Sequence, residues 1–242
     1  QAATMSSLKL YSFKGDFRAF KAQIAAAYNG IALERPDFDL DNDGKKEWFK
    51  ALSPMGKVPA LATAEGGIFE SNAIARYVAR LRRDTSLYGR TFFDSAQVDS
   101  WVDFAQNEVE LPATLWVYPV LGLMDFNPAL TAQSKKDLRK ALATLEKHLK
   151  FRTYVVGDAV TLADIVLACA LLYPFKMTMD PAFRKGLTNV TRWFITVVNQ
   201  PQFRAVVGEV NLAEEELKAA GAPAGGAAGK KGKKGKKEKK AG

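Results

Sequence analysis

Apolar and polar positions alternate over residues 8–13, where Leu8, Leu10 and Ser12 interleave with Lys9, Tyr11 and Phe13, and this period of two predicts a first strand. Lys14, Gly15 and Asp16 then form a turn in which Asp16 is placed to cap a helix. Over residues 17–29 the period changes to that of a helix, with Phe17, Phe20, Ile24, Ala27 and Tyr28 on one stripe and Gly30 where a left-handed terminator is wanted. Residues 31–33 predict a short second strand, 36–44 an acidic, proline-containing loop, and 45–52 a short helix.

Pro54 and Gly56 break that helical pattern. Residues 58–62 are strand-like except for Pro59 at the second position, which confines the segment to a strand start, an edge or a bulge. Residues 64–67, with two glycines, predict a hairpin turn, Ile68 and Phe69 a further strand, and Ser71 the cap of a helix opening at Asn72. The resulting order, βαβαββα, is the thioredoxin-like order, so residues 1–84 are expected to form an α/β domain.

Strand signals become scarce after a polar connection at residues 85–90, and residues 90–218 predict an all-helical second domain. Val98, Trp101, Val102, Ala105 and Val109 form one stripe of a helix from about Asp94. The aromatic stretch 111–122 carries Pro112 and Pro119, so the helix there is expected to be kinked or interrupted and to line the cleft between domains. Leu138, Ala141, Leu142, Leu145 and Leu149 make a second stripe, with His148 on its flank in a packing role. Thr161 and Asp164 have the spacing of a capping box, and Val160 and Ile165 that of a hydrophobic staple. The helix behind them, residues 162–172, is apolar on nearly every side, which makes it central and makes Cys169 a buried, inert thiol. Residues 189–207 predict an aromatic helix, a break at Pro201 and a short last helix, with Glu214, Glu215, Glu216 and Lys218 as its exposed continuation. From Ala219 the chain is Ala/Gly/Pro-rich and then Lys/Gly-rich, so residues 219–242 predict a disordered linker or tail.

Net charge changes this picture less than its size suggests. Of the +9 carried by 242 residues, residues 230–240 contribute +7 through eight lysines and one glutamate, which leaves the folded body nearly neutral. The basicity is thus a property of the tail, where RNA or the ribosome could be attracted without specificity, and does not define a nucleic-acid face on the body. One cysteine cannot form an internal disulfide, and with a single histidine it cannot build a usual zinc site. No apolar run approaches the ~18 residues of a membrane span, and no signal-peptide core opens the chain, so a reduced, cytoplasmic setting is expected. The phosphate-binding pattern GxxxxGK[ST] does not occur, which excludes direct nucleotide chemistry of that kind.

Val58 and Pro59 at a strand start, followed by Glu70 and Ser71 at a helix start, resemble the glutathione-binding half of the glutathione transferase superfamily. The resemblance implies a transferase fold, α/β plus all-α, with a thioredoxin-like domain followed by a helical one. It implies a cis proline that leaves the Val58 amide and carbonyl open to an extended peptide. It also implies a glutathione site formed by Lys57, Val58, Pro59, Glu70 and Ser71, no required cofactor, and a homodimer as one possible assembly.

Residues 17–26, 69–78, 116–122 and 192–210 are similar to the gamma subunits of translation elongation factor 1B, the last stretch most specifically. That resemblance covers residues 9–210 and implies a scaffold holding the nucleotide-exchange subunit that recharges elongation factor 1A. It also implies that the Lys-rich segment leads into a further C-terminal domain outside this chain.

Scaffold and enzyme part at the turn before the first helix, where a transferase needs a donor that lowers the glutathione thiol pKa. Asp16 stands there, and a carboxylate opposes thiolate formation. Tyr11 and Ser12 are the remaining hydroxyls, on opposite faces of the strand, so at most one of them faces the cleft. Three readings stay open: a scaffold, an active glutathione S-transferase, and an appendage of an aminoacyl-tRNA synthetase complex using the Lys tail for RNA.

Overall fold

The computed structural model describes residues 8–222. The chain runs β1 (Leu8–Tyr11), α1 (Phe17–Asn29), β2 (Leu33–Glu34), α2 (Leu40–Asp43), α3 (Glu47–Lys50), β3 (Ala60–Ala62), β4 (Gly67–Phe69) and α4 (Ser71–Arg80), which complete the first domain. Its sheet has the order β2-β1-β3-β4, with β1 parallel to β2 and antiparallel to β3, and β3 antiparallel to β4. This is the thioredoxin-like arrangement, and α1 and α4 pack together against the sheet.

Several boundaries differ from the sequence expectations for local reasons. β1 ends at Tyr11, because Ser12 turns inward to bond Asp16. The second strand lies at Leu33–Glu34 rather than 31–33, since the Ile31 amide closes the end of α1 on the Ala26 carbonyl. The acidic loop contains the short helix α2, which Asp39 caps by accepting from the Asp41 and Asn42 amides. β3 opens at Ala60, not Val58. On α1, Ala27 is exposed, whereas Ala22, Ala25, Ala26 and Lys21 are buried between sheet and neighbouring helices. Gly30 ends α1 at φ 62°, and its amide returns to the Ala26 and Ala27 carbonyls.

In the second domain, α5 (Phe92–Phe104) starts two residues earlier than expected, at a capping box of Thr91 and Asp94. A π-helical turn, Ala105–Glu110, joins it to α6 (Leu111–Val117). Pro112 therefore does not interrupt the helix: it lies in the first turn of α6, and the π turn ahead of it absorbs the missing donor. α7 (Pro128–His148) carries its stripe inward. α8 (Leu162–Tyr173) is buried over all of its length except Tyr173 and packs against α1, α5 and the π turn. Each of its fully buried leucines contributes about 1.5–3 kcal/mol of transfer free energy, so this helix anchors both domains.

A second π turn (Pro174–Thr178) and α9 (Pro181–Arg184) follow; neither has a clear apolar period in the sequence. α10 (Thr188–Val198) and α11 (Pro201–Val207) end the helical body, and Phe194 of α10 stacks on Phe175 with ring centroids 4.0 Å apart.

Residues 208–222 do not continue α11 as a helix. They run back across the domain as a strap, with the Ala213 amide bonded to the Phe175 carbonyl and the Leu217 amide to the Met177 carbonyl. Glu216 is accordingly not exposed as expected, but accepts from Trp116 Nε1 at 3.1 Å and from Lys135. Ala219 is buried, so the expected tail does not begin there; residues 223–242 lie outside the described residues. No described helix is long and apolar enough to cross a membrane.

Candidate functional site

The α3–β3 loop and the start of α4 face the junction of the two domains across a cleft of about 990 Å³. Lys57, Val58, Pro59, Glu70 and Ser71 all line it, together with Arg18, Glu110 and Tyr118. The Val58–Pro59 peptide is cis, and among the described residues no hydrogen bond uses the Val58 amide or carbonyl. Ser53 shapes the loop from behind, its hydroxyl donating to the Lys57 carbonyl at 2.7 Å and accepting from the Lys57 amide at 3.2 Å. Gly56 has φ 63°, and a Cβ there would stand 2.7 Å from the Gly44 carbonyl, so only glycine lets these two loop segments meet.

Glu70 is the single non-glycine residue with positive φ among the described residues, at φ 69° and ψ 118°. Such a conformation costs on the order of 1–3 kcal/mol and is found at binding and catalytic sites. Ser71 is the first helical residue of α4 rather than its cap, and no side chain caps this N-terminus. The amides at the start of α4 therefore remain directed toward the cleft.

Behind Ser71 lies a buried polar network whose members, apart from Ser71 itself, the sequence reading missed. Lys21 has no exposed surface, and its Nζ donates to Ser71 Oγ at 3.2 Å, Asn72 Oδ1 at 2.9 Å and Glu110 Oε2 at 2.8 Å. Arg18 donates from Nε to Glu110 Oε1 at 2.8 Å and from a terminal nitrogen to the Tyr118 hydroxyl at 2.8 Å. Asn72 donates to Gln106 Oε1 at 2.8 Å. Burial works to raise the Glu110 carboxyl, but the Lys21 and Arg18 cations outweigh it and hold the group below its ordinary value. A signal was present: Lys21 stands one turn from both Phe17 and Ala25 on the buried side of α1, where a lysine needs a partner.

The turn before α1 differs from what a thiol-activating site needs. Ser12 donates its hydroxyl to Asp16 Oδ2 at 2.6 Å, and Asp16 Oδ1 caps α1 by accepting from the Arg18 amide at 2.9 Å. Tyr11 packs edge-on against Phe38, Trp48 and Phe49, with centroids 5.6, 5.3 and 6.2 Å away. Neither hydroxyl lines the cleft, whereas Asp16 does.

Three other positions singled out in the sequence lie away from the cleft. His148 packs at a tilt against Trp101 and bonds the Val155 carbonyl at 2.8 Å, with burial lowering its pKa. Cys169 is fully buried, and burial pushes its thiol up. Asp164 accepts from the Thr161 amide and the Val155 amide, each at 2.9 Å, from the Thr161 hydroxyl at 3.1 Å and from Trp193 Nε1 at 2.8 Å. Among the described residues no group of three or more metal-ligating side chains occurs.

A thioredoxin-like domain docked on a helical domain, with a cleft between them at the strand-start proline, is the architecture of the glutathione transferases. Residues 6–80 match the glutathione S-transferase N-terminal domain and residues 112–201 its C-terminal domain. The chain belongs to the glutathione S-transferase family and is similar, within it, to the elongation factor 1-gamma proteins. Elongation factor 1-gamma of Carassius auratus is 46% identical over 216 residues, 87% of this chain and 48% of that protein. The protein of the same name from Artemia salina is 46% identical over 209 residues, 86% of this chain and 48% of that one. The chain thus spans about half the length of the curated relatives it matches. Among solved structures, the GST-like domain of elongation factor 1-gamma from Saccharomyces cerevisiae superposes with a TM-score of 0.75 at 23% identity, covering 89% of this chain and 99% of that one. Poplar glutathione transferase F1 superposes with a TM-score of 0.75 at 23% identity, covering 84% and 97%. These two superpositions establish the fold alone.

Proposed function

We propose that this chain is a scaffold in cytoplasmic translation elongation, and that its transferase fold anchors the nucleotide-exchange subunit that recharges elongation factor 1A. The names of its relatives support the translation role. The observation that carries scaffold over enzyme is the Ser12 to Asp16 hydrogen bond of 2.6 Å. It occupies the hydroxyl that a thiol would use and sets a carboxylate at the mouth of the activating turn, where negative charge disfavours a thiolate. The test is co-purification of the full chain with the exchange subunit of elongation factor 1B, both intact. Stable association is expected, and its absence removes the reading.

A second reading keeps glutathione as a ligand without turnover. Lys57, Val58, Glu70 and Ser71 share one cleft, with free amides at the start of α4, and this favours a γ-glutamyl peptide there. Calorimetric titration with glutathione should show binding that Ser71→Ala weakens, while turnover of an electrophile with glutathione stays at the uncatalysed rate. Turnover that Tyr11→Phe abolishes would instead restore the transferase reading.

A further inference from the structure

The body of the chain is nearly neutral as a sequence, yet the fold gathers arginines at one place. The end of α4, the connection to α5 and the first turn of α5 enclose a groove of about 420 Å³, into which Arg80, Arg82, Arg83 and Arg90 project beside Phe92. Arg82 is fixed by Asp84 and by the Asn29 carbonyl. Arg80 lies over the Tyr88 ring at 3.9 Å and reaches Asp99 only at 3.9 Å. Arg90 approaches Asp158 only at 3.8 Å, both side chains being largely exposed. Arg83 has no hydrogen bond or ion pair among the described residues. Asp94, the remaining acid of this region, is engaged by the Arg90 and Thr91 amides at 3.1 Å each. Phe92 is 97% exposed and Phe93 71% exposed, although each stands in the first turn of a helix whose buried face is elsewhere.

We propose that this groove binds single-stranded nucleic acid, with the guanidinium groups of Arg83 and Arg90 on phosphates and a base stacked on Phe92. Arginine's planar fork matches phosphate oxygens in pairs, and an exposed phenylalanine offers a sequence-tolerant stacking platform. A peptide of acidic residues alone would satisfy the arginines but leave the Phe92 ring uncovered. A nucleotide supplies both groups at once. The groove's residues lie at 80–95 in the sequence, outside the Lys-rich segment, whose composition can attract a polyanion but offers no aromatic on which to stack a base.

The test is fluorescence anisotropy of the full chain with a labelled oligouridylate RNA and the matching oligothymidylate DNA. It uses a variant background in which the eight lysines of residues 230–240 are glutamine. Binding is expected to persist in that background. Arg83→Glu with Arg90→Glu should weaken it about tenfold or more and flatten its salt dependence. Phe92→Ala should weaken it about fivefold or more and leave the salt slope unchanged. Preferential binding of one oligonucleotide supports the site and identifies its source, and equal binding of both supports a site that does not read the sugar. The milder pair Arg83→Gln with Arg90→Gln should act in the same direction, with thermal melts confirming that every variant folds. Loss of binding on neutralising the lysines, or indifference to the arginine pair, overturns the proposal. So does polyglutamate competing as well as RNA with no effect of Phe92→Ala, which would make the groove an acidic-peptide site.

Discussion

Lys21 of the first domain and Glu110 of the second meet through a 2.8 Å ion pair in which the lysine is wholly buried. The pair joins α1 to the π turn between α5 and α6, and Lys21 also supports Ser71 at the cleft. Domain docking and cleft geometry therefore share one cation. Lys21→Met removes the donor to Glu110 Oε2, Asn72 Oδ1 and Ser71 Oγ and leaves Arg18 as the one cation on Glu110, so it is expected to cost about 1–3 kcal/mol in denaturant unfolding. The double variant Lys21→Met with Glu110→Gln should recover part of that loss, because the buried carboxylate left with Arg18 as its one cation is gone. Equal losses in the single and double variants would show that the two residues do not act as a pair.

The same carboxylate sets an acid limit. Its folded-state pKa lies below the ordinary value of 4.5, so its contribution is complete above that value and is lost as pH falls through the depressed folded-state value. Denaturant midpoints taken from neutral pH into acid should fall more steeply for the native chain than for Glu110→Gln. Parallel curves would assign the acid sensitivity to other carboxylates.

Asp164 holds four donors, and the indole of Trp193 is one of them. Thr161→Ala is expected to cost about 1 kcal/mol, the usual size of a lost cap. Asp164→Ala leaves two amides and an indole unpartnered inside the domain and should cost about 3 kcal/mol or more. Near-ultraviolet dichroism of the tryptophans, followed through urea unfolding, ranks the two; a smaller effect for Asp164→Ala would contradict the network.

Cys169 lies inside α8 with its thiol raised by burial. A thiol reagent should label it only at the rate of unfolding, with the native chain protected and the denatured chain reacting at once. Rapid labelling of the folded chain would mean that α8 opens locally.

Much of the cleft was legible because its parts are local. Pro59 at a strand start, a Gly-containing hairpin and Ser71 at a helix start, though as its first residue and not its cap, are each written within a few residues, and so is the Thr161 and Asp164 cap. The errors fell where a distant partner decides. Alternation left at most one of Tyr11 and Ser12 to face the cleft as a donor, but an aromatic cluster takes the first and Asp16 the second. Glu216 had the pattern of an exposed helix, yet Trp116 and Lys135 draw it inward on an extended strap.

The sequence by itself determined the order of the strands and of the longer helices, the thioredoxin-like first domain, the helical second domain and the central place of α8, but not the short helices α2 and α9 or the strap at 208–222. Periodicity and capping act over one or two turns and need no remote contact. Only the tertiary structure decided which charges are paired. Lys21 and Glu110 stand 89 residues apart and meet because α1 docks on the second domain. Arg80 and Arg90 share a groove because the connection between domains folds back on itself. Electrostatic partners depend on distance in space, and a sequence pattern carries that distance only where the chain is locally regular.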